Sequence, residues 1–370
     1  MLKVGVRNTE PKLDGLRLLR RGRLRPAWLD STNEESWSAT WRTALRAART
    51  IALVATACAC THDRSPTPPP VRSSTASTTT EPAPRPSDID ASRPVETHDA
   101  YRANLGHGAD LYLPRWFTAK RGGYDLLIHF HGEGRWQAAN VERANLNVAV
   151  VSVNIGGLGT VPYSKAFAKP EAFDRLLADT QAEIAKSGRA EGAKLRRIAL
   201  SAWSAGFSSV SRVLTERNAE RVDAVLLADG FFTFFTDPKK RVINVQGLKK
   251  FARYAEGARR NDKLFAITHT TIPTGPNPSV QECVAKLLEM LGMTMTPTTT
   301  TGPREMREIY TVDDGSFHVR GYNGTTAADH VKQLHAMGET VYPWLKARWD
   351  KQDEAAAAAA APSGNAGALR

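Results

Sequence analysis

Apolar positions along this chain follow two regimes. Between about residues 98 and 350, short runs rich in Val, Ile, Leu and Phe alternate with longer amphipathic stretches, and outside that window the pattern dissolves. The runs at 109–113, 125–131, 147–154, 197–202, 224–228, 264–269, 308–312 and 317–321 read as strands. Some, such as Val148-Ala149-Val150-Val151-Ser152-Val153, are apolar on nearly every position. A strand of that kind is buried on both faces and belongs in a sheet covered by helices on both sides. The helix-compatible stretches at 170–186, 205–218, 245–259, 279–291 and 327–349 supply those covers. Strands alternating with helices predict an α/β domain with a mostly parallel central sheet. The connecting segments are too short for a large cap domain. Such sheets bind ligands outside the carboxyl ends of their strands.

One strand end carries a distinctive sequence. Ile198-Ala199-Leu200 leads into Ala202-Trp203-Ser204-Ala205-Gly206, with a helix-compatible segment directly behind it. Strand, sharp turn and helix with serine at the apex make a nucleophile elbow, here in the form A-x-S-x-G. A serine hydroxyl attacks only when it is exposed, beside a base and near oxyanion donors. The elbow provides the first and part of the third. Taken alone, a serine in this position also reads as a helix cap, so the rest of the chain decides.

Two further strand ends and one helix start decide it. His129-Phe130-His131-Gly132-Glu133-Gly134 closes an early strand in a glycine turn. Asp229-Gly230 closes the strand after the serine, where a carboxylate would orient an imidazole. His330 opens the last amphipathic stretch. In this order the residues resemble the α/β-hydrolase fold of serine hydrolases, esterase- or lipase-like, over nearly all of residues 98–350. The resemblance implies Ser204 as nucleophile, His330 as base and Asp229 as acid, since the family's triad runs Ser, acid, His. It also implies an oxyanion hole made by the amide of Ala205 and by that of Gly132 or Glu133. The family more often takes its acid one strand later. That strand ends in His269-Thr270-Thr271 with no carboxylate before Glu282, which leaves Asp229 ahead of Asp313 and Asp314. His335 and His318 are the rival bases. Trp203, Phe231 and His269 are candidate substrate contacts, although Phe231 also reads as core and His269 as a loop-bonded histidine.

Two other readings compete. His129 and His131 share a strand face at i and i+2 and would make half of a metal site in an amidohydrolase. A non-catalytic binding protein on a hydrolase scaffold is the second. The serine-hydrolase reading needs no cofactor or metal. Its substrate is a small-molecule or polymeric ester.

Composition sharpens the edges of this picture. The chain has 370 residues and a net charge of +12. Its first 60 residues hold eleven Lys/Arg against five Asp/Glu, half of the excess. No basic stripe interleaved with aromatics remains, so nucleic acid is not an expected partner. Within residues 1–60, the basic stretch Arg42 to Arg49 precedes an apolar run, 50–57, and then Cys58-Ala59-Cys60. That is the layout of a secretory signal with a lipobox, Cys58 being the lipidation candidate. Residues 61–97 are rich in Pro, Ser and Thr and read as a disordered tether. Residues 351–370 read as an Ala-rich low-complexity tail. The expectation is therefore an exported protein, anchored to the membrane through an N-terminal lipid or secreted. Cys283, the only other cysteine, reads as a small buried hydrophobe.

Overall fold

The computed structural model describes residues 99–157 and 159–360. The signal segment with Cys58, the tether and the last ten residues lie outside the described residues. In chain order the strands are β1 (Tyr101–Gly106), β2 (Ala109–Leu113), β3 (Gly123–Phe130), β4 (Ala149–Val153), β5 (Lys194–Trp203), β6 (Val222–Ala228), β7 (Phe235–Asp237), β8 (Val242–Ile243), β9 (Leu264–His269), β10 (Thr296–Pro297), β11 (Arg307–Asp314) and β12 (Phe317–Asn323). The helices are α1 (Gly134–Arg143), α2 (Thr160–Ala166), α3 (Pro170–Lys186), α4 (Phe207–Val213), α5 (Glu216–Ala219), α6 (Lys249–Arg259), α7 (Val280–Met290), α8 (Ala327–His335) and α9 (Val341–Ala360).

All but β7 and β8 join one sheet in the order β1-β2-β4-β3-β5-β6-β9-β12-β11-β10. The run from β4 to β12 is parallel, with antiparallel strands added at both edges. This is the α/β architecture with a mostly parallel central sheet that the sequence predicts. Its parallel strands bury both faces, as their unbroken apolar runs require. On one face Leu126, Ile128, Phe130, Leu200 and Ala202 meet α3, α4, α6 and α7 residues such as Phe173, Val210, Phe251 and Leu287. On the other, Leu127, Ala199, Leu226 and Ala266 meet Ala138, Leu334, Val341 and Leu345 of α1, α8 and α9.

Sheet order also positions the site. After β3 the chain adds β4 on one side, then crosses back to place β5 on the other. The carboxyl ends of β3 and β5 therefore flank a switch in winding direction, the place where open α/β sheets bind ligands.

Several elements differ from the apolar pattern, each for a local reason. Helix α1 was not predicted, because its buried face includes Gln137 and Asn140, which blur the apolar stripe. The stretch 327–349 forms two helices rather than one. Gly338 packs on α1, where a Cβ would lie 2.4 Å from the Asn140 carbonyl oxygen. The Asn140 side chain accepts from the Gly338 amide at 3.0 Å and donates to the Leu334 carbonyl at 2.8 Å, so it closes the end of α8. The stretch 205–218 likewise breaks into a 3-10 turn, Ser204–Gly206, followed by α4 and α5. Helix α9 does not stop near Asp350. It continues to Ala360, and Asp353 is tied into the fold by Arg121 (2.6 Å) and Arg196 (3.1 Å).

That tie belongs to a charged cluster at the amino ends of β3 and β5. Asp125 takes Arg196 at 2.7 Å and Arg197 at 2.5 Å, and all three side chains are largely out of water. Removing the shared anion would leave two arginines under-compensated. Asp125→Ala is expected to cost about 3 kcal/mol of stability in urea denaturation; a cost below about 0.5 kcal/mol would show that Asp353 alone suffices.

Candidate active site

Three consecutive parallel strands end in residues whose backbones turn the wrong way for a side chain. His131 after β3 has φ 74°, Ser204 after β5 has φ 50°, and Asp229 after β6 has φ 45°. For non-glycine residues this left-handed region costs about 1–3 kcal/mol each, and such strain persists where the surroundings over-determine it. Here they do. A Cβ on Gly206 would lie 2.0 Å from the Phe130 carbonyl oxygen, and one on Gly230 would lie 2.7 Å from the Ser204 backbone. The three strand ends are thus pressed together, and the sharp turn lifts the Ser204 side chain to partial exposure at the apex.

Asp229 is 2% exposed and fully engaged. Its Oδ1 accepts from the Thr270 amide at 2.9 Å, and its Oδ2 accepts from the Thr270 hydroxyl at 2.7 Å. The same Oδ2 lies 2.6 Å from His330 Nδ1. Burial alone would push the Asp229 carboxyl up. The bonds from His330 and Thr270 outweigh it and hold the group below the ordinary carboxylate value. With Nδ1 facing a carboxylate, a neutral His330 ring has its lone pair on Nε2, the arrangement a general base needs.

His330 enters the site from α8, whose start is fixed by a capping box between Thr326 and Asp329. Trp203, one residue before the serine, holds it from the side. The indole Nε1 donates to the His330 carbonyl at 3.0 Å, and the two rings lie 4.6 Å apart. Trp203 also stacks on His131, at 5.0 Å with 10° between the planes. One run of rings therefore ties the turn after β3, the turn after β5 and His330 on α8.

The turn after β3 carries the second set of expected donors. The Gly132 and Glu133 amides have no acceptor among the described residues. The Ala205 amide lies in the first turn of a helix, where amides lack intrahelical partners. The Glu133 carboxylate points away to Arg135 at 2.5 Å.

Ser204, His330, Asp229, Ala205, Gly132, Glu133 and Trp203 thus come together at the carboxyl ends of three strands. Other expected residues do not join them. Phe231 is 0% exposed and packs edge-on against Phe207 and Phe251, both at 5.4 Å, so it is core and not a substrate contact. His269 is also buried, one ring nitrogen 2.8 Å from the Thr270 carbonyl and the other bonded to the Tyr310 hydroxyl. It supports the loop that feeds Thr270 to Asp229 and does not face a substrate. Asp313 pairs with His318 and Arg320, and Asp314 with Arg259, at the amino end of β12, the opposite edge of the sheet from Ser204. His335 stacks on Trp136 at 3.7 Å. The metal reading fails on geometry. Both ring nitrogens of His129 are taken, by Ser201 Oγ at 2.8 Å and the His131 carbonyl at 2.7 Å, while His131 Nδ1 meets the Tyr163 hydroxyl at 2.9 Å. Cys283 is a buried thiol, pushed up to about 12 by burial.

Thr270 and Tyr163 were not anticipated. Thr270 carries a usable signal, since it follows the strand end beside Asp229. Tyr163 has none, because α2 shows too little periodicity to be seen.

The sequence matches no protein-family model and no curated protein. Among solved structures it is similar to the poly(3-hydroxybutyrate) depolymerase of Bordetella parapertussis, with 14% identity, 62% of this chain and 81% of that one covered, and a TM-score of 0.37. The feruloyl esterase module of Clostridium thermocellum gives 11% identity, 66% and 87% coverage, and 0.39. The acetyl xylan esterase of Aspergillus awamori gives 13%, 65% and 99%, and 0.37. Overlaps this loose say nothing of reaction or substrate, which rest on the site itself.

The buried histidines give the site a pH signature. Burial lowers His129 to about 3. Burial and the nearby His330 lower His131 to about 4, and burial with Arg304, Arg143 and Arg135 lowers His335 to about 4. In the unfolded chain an imidazole titrates near 6.5. Between those values the unfolded chain binds more protons, so stability is full above about pH 6.5 and falls as pH drops towards 4. Urea midpoints should decline steadily from pH 7 to pH 4.5; a flat profile would contradict the neutral buried histidines.

Proposed function

We propose that this protein is a serine hydrolase of carboxylic esters. The observation that carries the reading is the Asp229–His330 pair at 2.6 Å, joined through Trp203 to a serine held at φ 50°. Strain, a desolvated carboxylate and an oriented imidazole meeting at one strand-end cluster are what nucleophilic acyl transfer requires.

In this reading His330 Nε2 takes the proton from Ser204 Oγ as that oxygen attacks the ester carbonyl carbon. The carbonyl oxygen becomes an oxyanion held by the Ala205 amide and the amides of the turn after β3, each donor worth about 3 kcal/mol in the transition state. The His330 imidazolium is stabilised by Asp229 and returns its proton to the leaving alkoxide. Water, deprotonated by the same imidazole, then cleaves the acyl-enzyme and restores the serine. The chemistry runs on side chains and amides alone. Phe234, 56% exposed in the segment that follows Asp229, is an exposed apolar side chain compatible with a bulky or polymeric ester.

Ser204→Ala should remove ester turnover while leaving the thermal transition in place. Asp229→Asn should lower kcat by about 10⁴-fold, because the amide favours the wrong imidazole tautomer. Retained turnover in Ser204→Ala would sink the assignment, and a small effect of Asp229→Asn would remove the acid from its role.

The N-terminal pattern supports an address for this activity. We place the enzyme at the cell envelope, tethered through a lipid on Cys58. Incorporation of an alkyne-tagged palmitate should be lost in Cys58→Ser and kept in Cys60→Ser; the reverse would move the anchor.

A further inference from the structure

Beneath the turn after β3 lies a buried polar network with no part in the triad. His129 is 0% exposed in the middle of the helix-covered sheet. Its Nδ1 faces Ser201 Oγ at 2.8 Å on the neighbouring strand, and its Nε2 faces the His131 carbonyl oxygen at 2.7 Å. A carbonyl only accepts. Nε2 must therefore carry the proton and donate, leaving Nδ1 to accept from the Ser201 hydroxyl. The Gln137 amide also lies 3.1 Å from Nε2 and bonds the Tyr342 hydroxyl. An amide can present either end by rotation, so the fixed carbonyl decides the tautomer.

This contact has a consequence two atoms further on. The His131–Gly132 peptide is planar and trans, so its N–H points opposite to its C=O. Drawing the carbonyl inward to His129 turns the Gly132 amide away from the interior. His131 is also held at its own amide by the Val153 carbonyl, at 2.9 Å, and at its ring by Tyr163 and Trp203. The residue is anchored at every polar atom its backbone offers, and at φ 74° it needs to be. Without the His129 bond the peptide is free to rotate towards relaxed φ and swing the turn's amides out of line.

We propose that His129 is a positioning residue for the oxyanion hole: its Nε2–H holds the His131 carbonyl and so sets the plane of the peptide that aims the turn's amides. The inference rests on the serine-hydrolase reading above and assigns a role that neither the triad nor the amides themselves supply. His129 stays neutral throughout catalysis, because burial keeps it far below the ordinary imidazole range. It never exchanges a proton with substrate; it acts through the turn.

The test uses the full chain and a p-nitrophenyl ester. His129→Phe keeps a flat aromatic ring and removes the donor. It should lower kcat about 100-fold with KM within about 3-fold, and should weaken a trifluoromethyl ketone, which mimics the tetrahedral oxyanion, by the same factor as kcat. His129→Gln, which keeps a donor, should recover part of both. Tyr342→Phe at the far end of the network removes a buried polar group without touching the His131 carbonyl, and should change kcat less than about 3-fold. Independently, ¹⁵N NMR of the wild type should show His129 as the Nε2–H tautomer without titration between pH 5 and 8. Unchanged kcat in a folded His129→Phe, or an Nδ1–H tautomer, would overturn the proposal. If His129→Phe does not fold, the tautomer and His129→Gln decide. A wild type that turns over no ester would sink the hydrolase reading, and with it the catalytic role, while leaving the tautomer result as measured.

Discussion

Two missing methyl groups set the distances at this site. A Cβ on Gly206 would collide with the Phe130 carbonyl, and one on Gly230 would collide with the Ser204 backbone. Only because both are absent can the ends of β3, β5 and β6 close to van der Waals contact. That closeness forces positive φ on His131, Ser204 and Asp229. The strain is offset by the surrounding sheet, buried on both faces, and by hydrogen bonds at Asp229 and His131. Asp229 is held by Thr270 and His330, and His131 by Val153 and Tyr163. The elbow is thus a product of the whole sheet, not of five residues of sequence.

The rest follows from where that contact falls. The winding of the sheet reverses around β3, which puts the strained ends at the switch point where open α/β sheets bind ligands. The two cores divide the labour. One face is filled by aromatic packing around Phe207, Phe231, Phe251 and Phe265. The other carries His129, Ser201, Gln137 and Tyr342 within its apolar surround. A fully satisfied polar network in a dry interior is rigid, because each unmade bond would cost the full desolvation of its group. Within that network, the contact of His129 with the His131 carbonyl is the one that reaches the turn after β3.

Much of this was legible in the sequence. The apolar runs marked the central strands, since burial on both faces leaves little room for polar residues. Ser204, Asp229 and His330 stood out because each follows a strand or opens a helix, where side chains reach a crevice. What stayed hidden depended on long-range packing. Helix α1 buries Gln137 and Asn140, so its apolar stripe is broken, and the break between α8 and α9 reflects Gly338 meeting Asn140, 198 residues away. Phe231 and His269 sit at the right strand ends, yet both turn inward, one to an aromatic cluster and one to Tyr310. A position beside a strand end does not by itself say which way a side chain points.

The central claim is that Ser204 is a nucleophile activated by its neighbours. Reaction of the full protein with a fluorophosphonate, followed by peptide mass spectrometry, tests it most directly. A single phosphonyl adduct on Ser204 is expected, with labelling suppressed when His330 is replaced by alanine. An unlabelled protein, or an adduct on a different residue, would contradict it.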